Sequence, residues 1–241
     1  NAYLQETRSE ILRYLRSPGF VLPTLLFPTV FYLMFGVLLG HGNGQQARYM
    51  LAAYSTFGVM APGLFGFGVS LALERDGGLL TLKRALPMPP AAYLIGKLTM
   101  AMLVAAVIAS LLLCLALFVA HVPLTAIQVV RLFALEVAGV VPFCALGLLL
   151  GTLIKGQGAP GLVNMIYLPM AFMSGLWFPL SVMPKFLQQI AGLWPSYHLN
   201  QLALSAVGMP HAGSGAAHGM VLCAFAVACL WLAVRRLRRN G

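Results

Sequence analysis

Six long apolar runs, separated by short polar segments, organise this chain. Each run is long enough to cross the roughly 30 Å hydrocarbon core of a bilayer as an α-helix. The runs are continuous, whereas strands of a membrane barrel alternate apolar and polar residues, so helices are predicted. The sequence therefore predicts an all-α integral membrane protein, a single domain over 1–241. Its six transmembrane helices are expected at about 20–39, 49–73, 98–120, 132–154, 159–178 and 216–234.

Two further segments are apolar but unsuited to spanning. Residues 3–16 place Leu4, Ile11 and Leu15 at helical spacing among charged residues, which is typical of an amphipathic helix lying along the membrane surface. Residues 179–215 are too apolar for open water. They are predicted to form short re-entrant helices on the external side before the last span, because four prolines break the segment: Pro179, Pro184, Pro195 and Pro210.

Composition and charge exclude a water-soluble fold. Of the 241 residues, 60% are apolar and only 8% charged, against roughly 45–50% and 25% in soluble domains. The net charge of +10 does not indicate a nucleic-acid surface, because the basic residues form short clusters between the apolar runs. Twelve of the 15 Lys and Arg residues fall on one side of a six-span topology. Since such residues are retained inside the cell, both termini are expected to be cytoplasmic, in the cell (inner) membrane.

The polar segment between the second and third runs, residues 74–97, carries the functional hypothesis. Its spaced leucines form a short apolar face opposite Lys83 and Arg84, and the prolines from Pro87 onward end this short helix before the third span. The pattern predicts a stiff helix, exposed at the membrane surface, that fits a groove on a soluble partner. An ordinary interfacial loop helix is the alternative.

Two stretches resemble the type 2 ABC exporter permeases. Residues 74–87, ERDGGLLTLKRALP, followed by Gly96-Lys97, are similar to the cytoplasmic coupling segment of that family, although the family often has Thr-Pro where this chain has Leu86-Pro87. Residues 174–199, SGLWFPLSVMPKFLQQIAGLWPSYHL, resemble the stretch that follows the fifth span in the family. The amphipathic N-terminus and the six-span layout agree with it as well.

The resemblance implies a mechanism and partners. Two permeases, as a homodimer or with a similar chain, would rest on two ATPase subunits that bind ATP and Mg²⁺. This chain contains no GxxxxGK(S/T) loop, so it is expected to bind no nucleotide by that route, to need no cofactor and to have no catalytic site. The residues expected to couple it to the ATPase are Glu74, Arg75, Asp76, Gly78, Leu79, Leu82, Lys83, Arg84, Leu86 and Pro87.

Two other classes of function remain open at the level of sequence. An ion-coupled secondary carrier needs ionisable groups deep in the membrane, and Glu136 is the only acidic residue inside a predicted span. A packing or interfacial role for Glu136 is preferred over a proton or substrate site. A membrane-embedded enzyme needs a paired acid and base or a metal cluster, but the five histidines form no HExxH or His/Asp pairing.

The substrate is the least constrained feature. An apolar path with few fixed charges favours amphipathic, drug-like or lipid-like cargo taken from the cytoplasm or inner leaflet. A lipid-linked polysaccharide is the alternative, for which aromatic residues on a channel wall would be one sign. Packing is the competing interpretation for the candidate wall residues, namely Tyr32, Tyr54, Phe57, Phe65, Phe67 and Tyr167. Asn164 and Ser174 complete the candidate path residues, as polar contacts or as dimer-packing groups. The GxxxG pair Gly147 and Gly151 predicts close helix packing within the chain.

Overall fold

A computed structural model describes residues 2–40, 42–79, 82 and 89–240, with side chains for all of these except 2, 90 and 237–240. Within those residues the chain is helical and contains no strand. The first four helices are α1 (Ala2–Leu15), α2 (Pro18–Phe31, continued by a π-helical segment Tyr32–Leu38), α3 (Gly44–Gly63, π-helical Leu64–Val69 and α-helical Ser70–Asp76) and α4 (Pro90–Cys114, then π-helical Leu115–Val119). The others are α5 (Ala126–Leu153), α6 (Ala159–Met173), α7 (Lys185–Ile190), α8 (Pro195–Ala206) and α9 (Gly215–Asn240).

Five helical segments of the described residues are long and apolar enough to cross a membrane. They correspond to the predicted first, second, third, fourth and last spans: Pro18–Leu38, Gly44–Asp76, Ala91–Val119, Ala126–Leu153 and Gly215–Arg236. The chain is therefore a multi-pass, all-helical membrane protein. The fifth predicted span, 159–178, is represented by the shorter helix α6.

Helix α6 stops five residues before its predicted end because a glycine terminates it. Gly175 adopts a positive φ of 77°, and the amides of Gly175 and Leu176 bond the carbonyls of Phe172 and Ala171. This is the Schellman arrangement, in which a left-handed glycine lets the chain fold back onto the last turn. The remaining 15 residues give a helix of about 22 Å.

The segment that contains α6 nevertheless lies along the whole of α3. The amide of Gly156 donates to Asp76 Oδ2 at 2.6 Å, at the last residue of α3. At the other end, Tyr49 Oη, near the start of α3, donates to the carbonyl of Gly175 at 2.9 Å. Residues 156–175 therefore extend from one end of α3 to the other.

Helix α3 is the centre of the bundle, and glycines let α5 approach it closely. A Cβ at Gly63 would lie 2.8 Å from the backbone nitrogen of Cys144, and a Cβ at Gly151 would lie 2.9 Å from the carbonyl oxygen of Gly68. A Cβ at Gly147 would likewise collide with the carbonyl oxygen of Gly63. The predicted intrachain role of Gly147 and Gly151 is confirmed, since only residues without a side chain fit this contact.

The segment between α6 and α9, residues 174–214, forms a cap of short helices over the end of the bundle that contains Tyr49. It comprises α7, α8 and two 3₁₀ turns, Leu180–Val182 and Ala191–Leu193. Helix α8 packs against α3, α5 and α9. Proline begins α8 at Pro195 and Pro184 immediately precedes α7, as expected for a residue with a fixed φ and no amide hydrogen.

Replacing Gly147 by Ala is expected to destabilise the bundle. The added methyl group has no space between α3 and α5, so overpacking should cost roughly 1–3 kcal/mol. The measurement is the thermal unfolding midpoint of the detergent-solubilised protein. Gly161→Ala in α6 is the matched control, because nothing lies within 4 Å of a Cβ there. Equal midpoints for the two variants would contradict the close α3–α5 contact.

Candidate functional site

A fully buried lysine is at the centre of the end of the bundle that carries the predicted coupling segment. Lys97 is 0% exposed in α4. Its Nζ lies 2.9 Å from Glu10 Oε2 of α1 and 2.8 Å from Glu74 Oε1 of α3, and it also donates to Ser70 Oγ. An ammonium group loses its hydration when it is buried, so it requires this set of acceptors.

Two more side chains complete this cluster. Arg13 Nη1 lies 2.5 Å from Glu74 Oε1 and 3.3 Å from Glu10 Oε1. Tyr93 Oη donates to the second oxygen of Glu74 at 2.8 Å. The two carboxylates and two cations balance, so the cluster is neutral as a whole, which is the condition under which buried charges are tolerated. We call Glu10, Arg13, Ser70, Glu74, Tyr93 and Lys97 the anchor cluster.

The anchor cluster fixes α1 against the bundle. A Cβ at Gly96 would lie 3.3 Å from the backbone nitrogen of Thr7, so α1 crosses α4 in direct contact. The carboxylate of Glu10 faces inward and is buried, whereas Leu4 and Leu15 are exposed. Helix α1 therefore turns its acidic side chains toward the protein and these leucines outward, and its position along the membrane surface stays a prediction.

Arg75 and Asp76 make a second set of contacts with the junction between α5 and α6. Arg75 donates to the carbonyls of Thr152 and Ile154 at 2.9 and 2.8 Å, which have no partner within a helix at its C-terminal end. Asp76 accepts the amide of Gly156 at 2.6 Å. Consecutive residues of α3 thus connect to α1 and α4 through Glu74, and to α5 and α6 through Arg75 and Asp76.

The chain leaves α3 through a left-handed glycine and starts another helical turn. Gly78 has a φ of 73°, which a side chain would strain. The amide of Leu82 bonds the carbonyl of Gly78 at 3.2 Å, in the i to i+4 pattern of a helix. Leu79 is partly buried, whereas Leu82 is 60% exposed. The other predicted coupling residues, Lys83, Arg84, Leu86 and Pro87, lie outside the described residues.

A cavity of about 150 Å³ adjoins the anchor cluster between α1, α2, α3 and α4. Glu10, Arg13 and Glu74 form its polar wall. The rest of the lining is mostly apolar and includes Phe20 and Phe65. The cavity therefore places a charged surface and an apolar surface a few side chains apart.

The predicted path residues occupy two different environments. Tyr32, Tyr54, Phe57, Tyr167 and Ser174 are buried, whereas Asn164 is exposed on α6. Ser174 Oγ lies 2.5 Å from Ser196 Oγ, which ties the end of α6 to α8. These contacts agree with packing for Ser174, and the path assignment for the set stays a prediction.

The buried aromatic residues form the inner layer of a larger cluster. The rings of Phe57 and Tyr167 stack with centroids 4.9 Å apart, and Trp177 approaches Phe57 at 6.2 Å and Phe31 at 6.4 Å. Offset and edge-on contacts of this kind are favourable between aromatic rings. The cluster joins α2, α3 and α6 to the first residues of the cap.

Of the outer layer of this cluster, Phe65 was predicted from the sequence to line the path, whereas the other four residues were not. Phe31, Phe65 and Trp177 are partly exposed, and Phe27 and Phe172 are exposed. A signal existed in α2, where Phe27, Phe31 and Phe35 recur every four residues on one helix face. The outer residues present an aromatic surface that no part of the described chain covers completely. We call these five residues, Phe27, Phe31, Phe65, Phe172 and Trp177, the aromatic face.

Glu136 lies inside the bundle and faces α3. It is 0% exposed, and its Oε1 lies within hydrogen-bonding distance of Ser55 Oγ at 2.9 Å and Thr56 Oγ1 at 3.2 Å. Its Oε2 has no partner among the described residues. These contacts place the side chain in the interior of the bundle, and its packing role stays a prediction. No group of three or more potential metal ligands occurs in the described part of the chain.

Two comparisons identify similar proteins. A family model described as ABC-2 type transporter matches residues 2–207. The chain is also 27% identical, over 202 residues, to a protein of Bacillus subtilis (strain 168) named "Putative transport permease YvfS". That alignment covers 82% of this chain and 82% of the relative. The matched residues include α1, the anchor cluster, the predicted coupling segment and α8.

Replacing Lys97 by Met is expected to destabilise the protein by about 3–5 kcal/mol, because it leaves buried carboxylates without their cation. Combining Lys97→Met with Glu10→Gln restores neutrality and should recover part of the loss. Thermal unfolding in detergent measures both effects. Arg8→Met, at an exposed position of α1, is the control and should change stability little. A double variant no more stable than Lys97→Met alone would contradict the charge balance.

Proposed function

Because the chain belongs to the ABC-2 type transporter family, whose model matches residues 2–207, we propose that it is the membrane subunit of an exporter driven by a separate ATPase. The sequence contains no GxxxxGK(S/T) loop of its own, which supports a partner as the site of ATP and Mg²⁺ binding. Two permease copies, forming a homodimer, each rest on one ATPase subunit.

The observation that carries this proposal is that the exposed Leu82 follows closely after the end of α3, which is bonded to the other helices of the bundle. Leu82 presents an exposed apolar side chain only six residues beyond Asp76. The three residues that end α3 are held by ion pairs and hydrogen bonds to α1, α4 and the α5–α6 junction. A displacement of the segment around Leu82 therefore acts on these helices together.

The proposed topology has six crossings. Residues 156–175 contact both ends of α3, through Asp76 and Tyr49, so we count α6 with its flanking residues as the fifth crossing. Six crossings put both termini on one side of the membrane, together with the coupling segment and twelve of the 15 Lys and Arg residues. The positive-inside rule makes that side cytoplasmic, in the cell membrane, and the cap external.

The aromatic face supports the proposed path for the substrate. A second copy of the chain opposite this face would enclose a cleft with aromatic walls between the two permeases. Such walls suit an amphipathic, drug-like or lipid-like molecule that enters from the cytoplasm or inner leaflet. Flat aromatic surfaces also suit stacking against sugar rings, which favours a lipid-linked polysaccharide as the second candidate cargo.

Changing Leu82 and Leu86 to Asp is expected to abolish co-purification of the permease with its co-expressed ATPase subunit. Burying a carboxylate in an apolar docking groove costs far more than the leucine contacts contribute. Leu193→Asp is the matched control, since Leu193 is 78% exposed in the cap and should leave the complex intact. The permease alone should show no ATP hydrolysis. Recovery of an intact complex with the double variant would refute the docking role.

Cross-linking tests the proposed pairing across the aromatic face. In a variant with Cys114, Cys144, Cys223 and Cys229 replaced by Ala, Phe172→Cys should give a covalent dimer with a short bifunctional maleimide. Phe118→Cys, at a 74% exposed position of α4, should remain monomeric. A covalent dimer formed by the Phe118→Cys variant and not by the Phe172→Cys variant would contradict pairing across the aromatic face.

A further inference from the structure

Two histidines from different helices meet where the cap packs against α9. His198 belongs to α8 and His218 to α9, and their Nδ1 atoms are 2.7 Å apart. The residues are only 8% and 6% exposed. Their separation of 20 positions in the sequence forms no recognisable motif. The contact therefore arises from the fold of the cap.

The hydrogen-bond partner of Nε2 in each ring determines whether the Nδ1 of that ring donates or accepts. His198 Nε2 lies 2.9 Å from the carbonyl oxygen of Gly192, and His218 Nε2 lies 2.6 Å from that of Ala212. A carbonyl oxygen only accepts hydrogen bonds, so each Nε2 must carry a hydrogen. A neutral histidine has one N–H, which would leave both Nδ1 atoms as acceptors facing each other. Two lone pairs at this distance repel unless a positive group lies between them.

We propose that His198 and His218 form one proton-binding site, in which a single shared proton joins the cap helix α8 to the last transmembrane helix α9. The pair then carries one positive charge. One ring donates through Nδ1 and the other accepts, while both Nε2–H groups keep their carbonyl partners. All four ring nitrogens are satisfied in this state.

A metal ion fits the gap less well than a proton. Zn–N bonds of about 2.0–2.1 Å hold two nitrogens roughly 3.3 Å apart in a tetrahedral site, wider than the 2.7 Å between these Nδ1 atoms. Structural zinc sites also take four ligands, and the described residues contain no cluster of three His, Cys, Asp or Glu side chains.

The surroundings of the pair disfavour a second proton. Burial lowers the pKa of His198, and the charge of His218 lowers it further, while the hydrogen bond to the Gly192 carbonyl acts in the opposite direction. The other titratable neighbours are Tyr197, whose ring packs against both imidazoles, and His211, whose Nδ1 faces the carbonyl of Met209. No carboxylate among the described residues forms an ion pair with either ring.

These properties make the contact between His198 and His218 stable only within a limited pH range. Acidification adds a second proton, so two N–H groups oppose each other across the gap and the contact opens. The folded-state pKa of His198 is lowered, so its contribution to stability is present above the unfolded pKa of about 6.5 and is lost as pH falls below it. Removal of the shared proton at alkaline pH also breaks the contact. The link between α8 and α9 is therefore strongest between these limits.

The test compares the pH dependence of unfolding in three forms of the full chain in lipid nanodiscs. The wild type should unfold at a lower temperature at pH 5 than at pH 7. In His218→Asn, the side-chain amide can donate to His198 without an added proton. The decrease in unfolding temperature from pH 7 to pH 5 should therefore be smaller than in the wild type. His211→Gln changes a cap histidine outside the pair and should keep the wild-type profile. An unchanged acid drop in His218→Asn would overturn the proposal.

A second measurement keeps the proposal testable if His218→Asn does not fold. Nitrogen-15 NMR of histidine-labelled wild type at pH 7 should show two Nε2–H groups and one additional proton on the Nδ1 pair. An unprotonated Nε2 on either ring would refute the shared proton. A loss of stability on adding EDTA that Zn²⁺ restores would indicate a metal ion between the rings instead of a proton, and would also overturn the proposal.

Discussion

The buried charge of Lys97 is the constraint on which one end of the molecule depends, the end that carries the predicted coupling segment and that we call the coupling end. An ammonium group removed from water must be matched by carboxylates at hydrogen-bonding distance, and the two that match it come from α1 and α3. Neither helix can separate from α4 without exposing or unpairing a charge. The anchor cluster thus gives α1, a short helix with limited apolar contact, a fixed position on the bundle.

Helix α3 connects the two ends of the protein. Its last residues contact α1, α4 and the α5–α6 junction, whereas Tyr49 near its start bonds the turn at Gly175, where the cap begins. Between these ends, the glycine contacts with α5 leave no space for independent sliding. Because packed interiors shift between discrete arrangements and deform little, displacement at Asp76 is expected to move α3 as a unit. Such movement would reach the cap through Tyr49.

Sequence patterns were sufficient for features that depend on local chemistry. Continuous apolar runs located five membrane helices, and the spacing of Gly147 and Gly151 predicted a close contact that occurs with α3. The length of α6 was missed because Gly175 was read as part of an apolar run, although a left-handed glycine ends the helix there. Lys97 was counted as a loop cation, since its partner Glu10 is 87 positions away and pairing over that distance has no periodic signal. His198 and His218 were missed as a pair for the same reason.

The two ends of the bundle are held by different chemistry, and this difference bears on how each could move. At the coupling end, four ionised groups share one buried site, so separating any helix costs several kcal/mol and the helices respond together. In the cap, α8 is held by neutral hydrogen bonds between Ser196 and Ser174 and from the amide of Ala212 to Gln201, each typically worth about 0.5–1.5 kcal/mol, and by the His198–His218 contact with α9. Opening the cap is therefore the less costly change. Under the proposed function, this asymmetry keeps the connection to the ATPase firm while the cap opens to release the substrate.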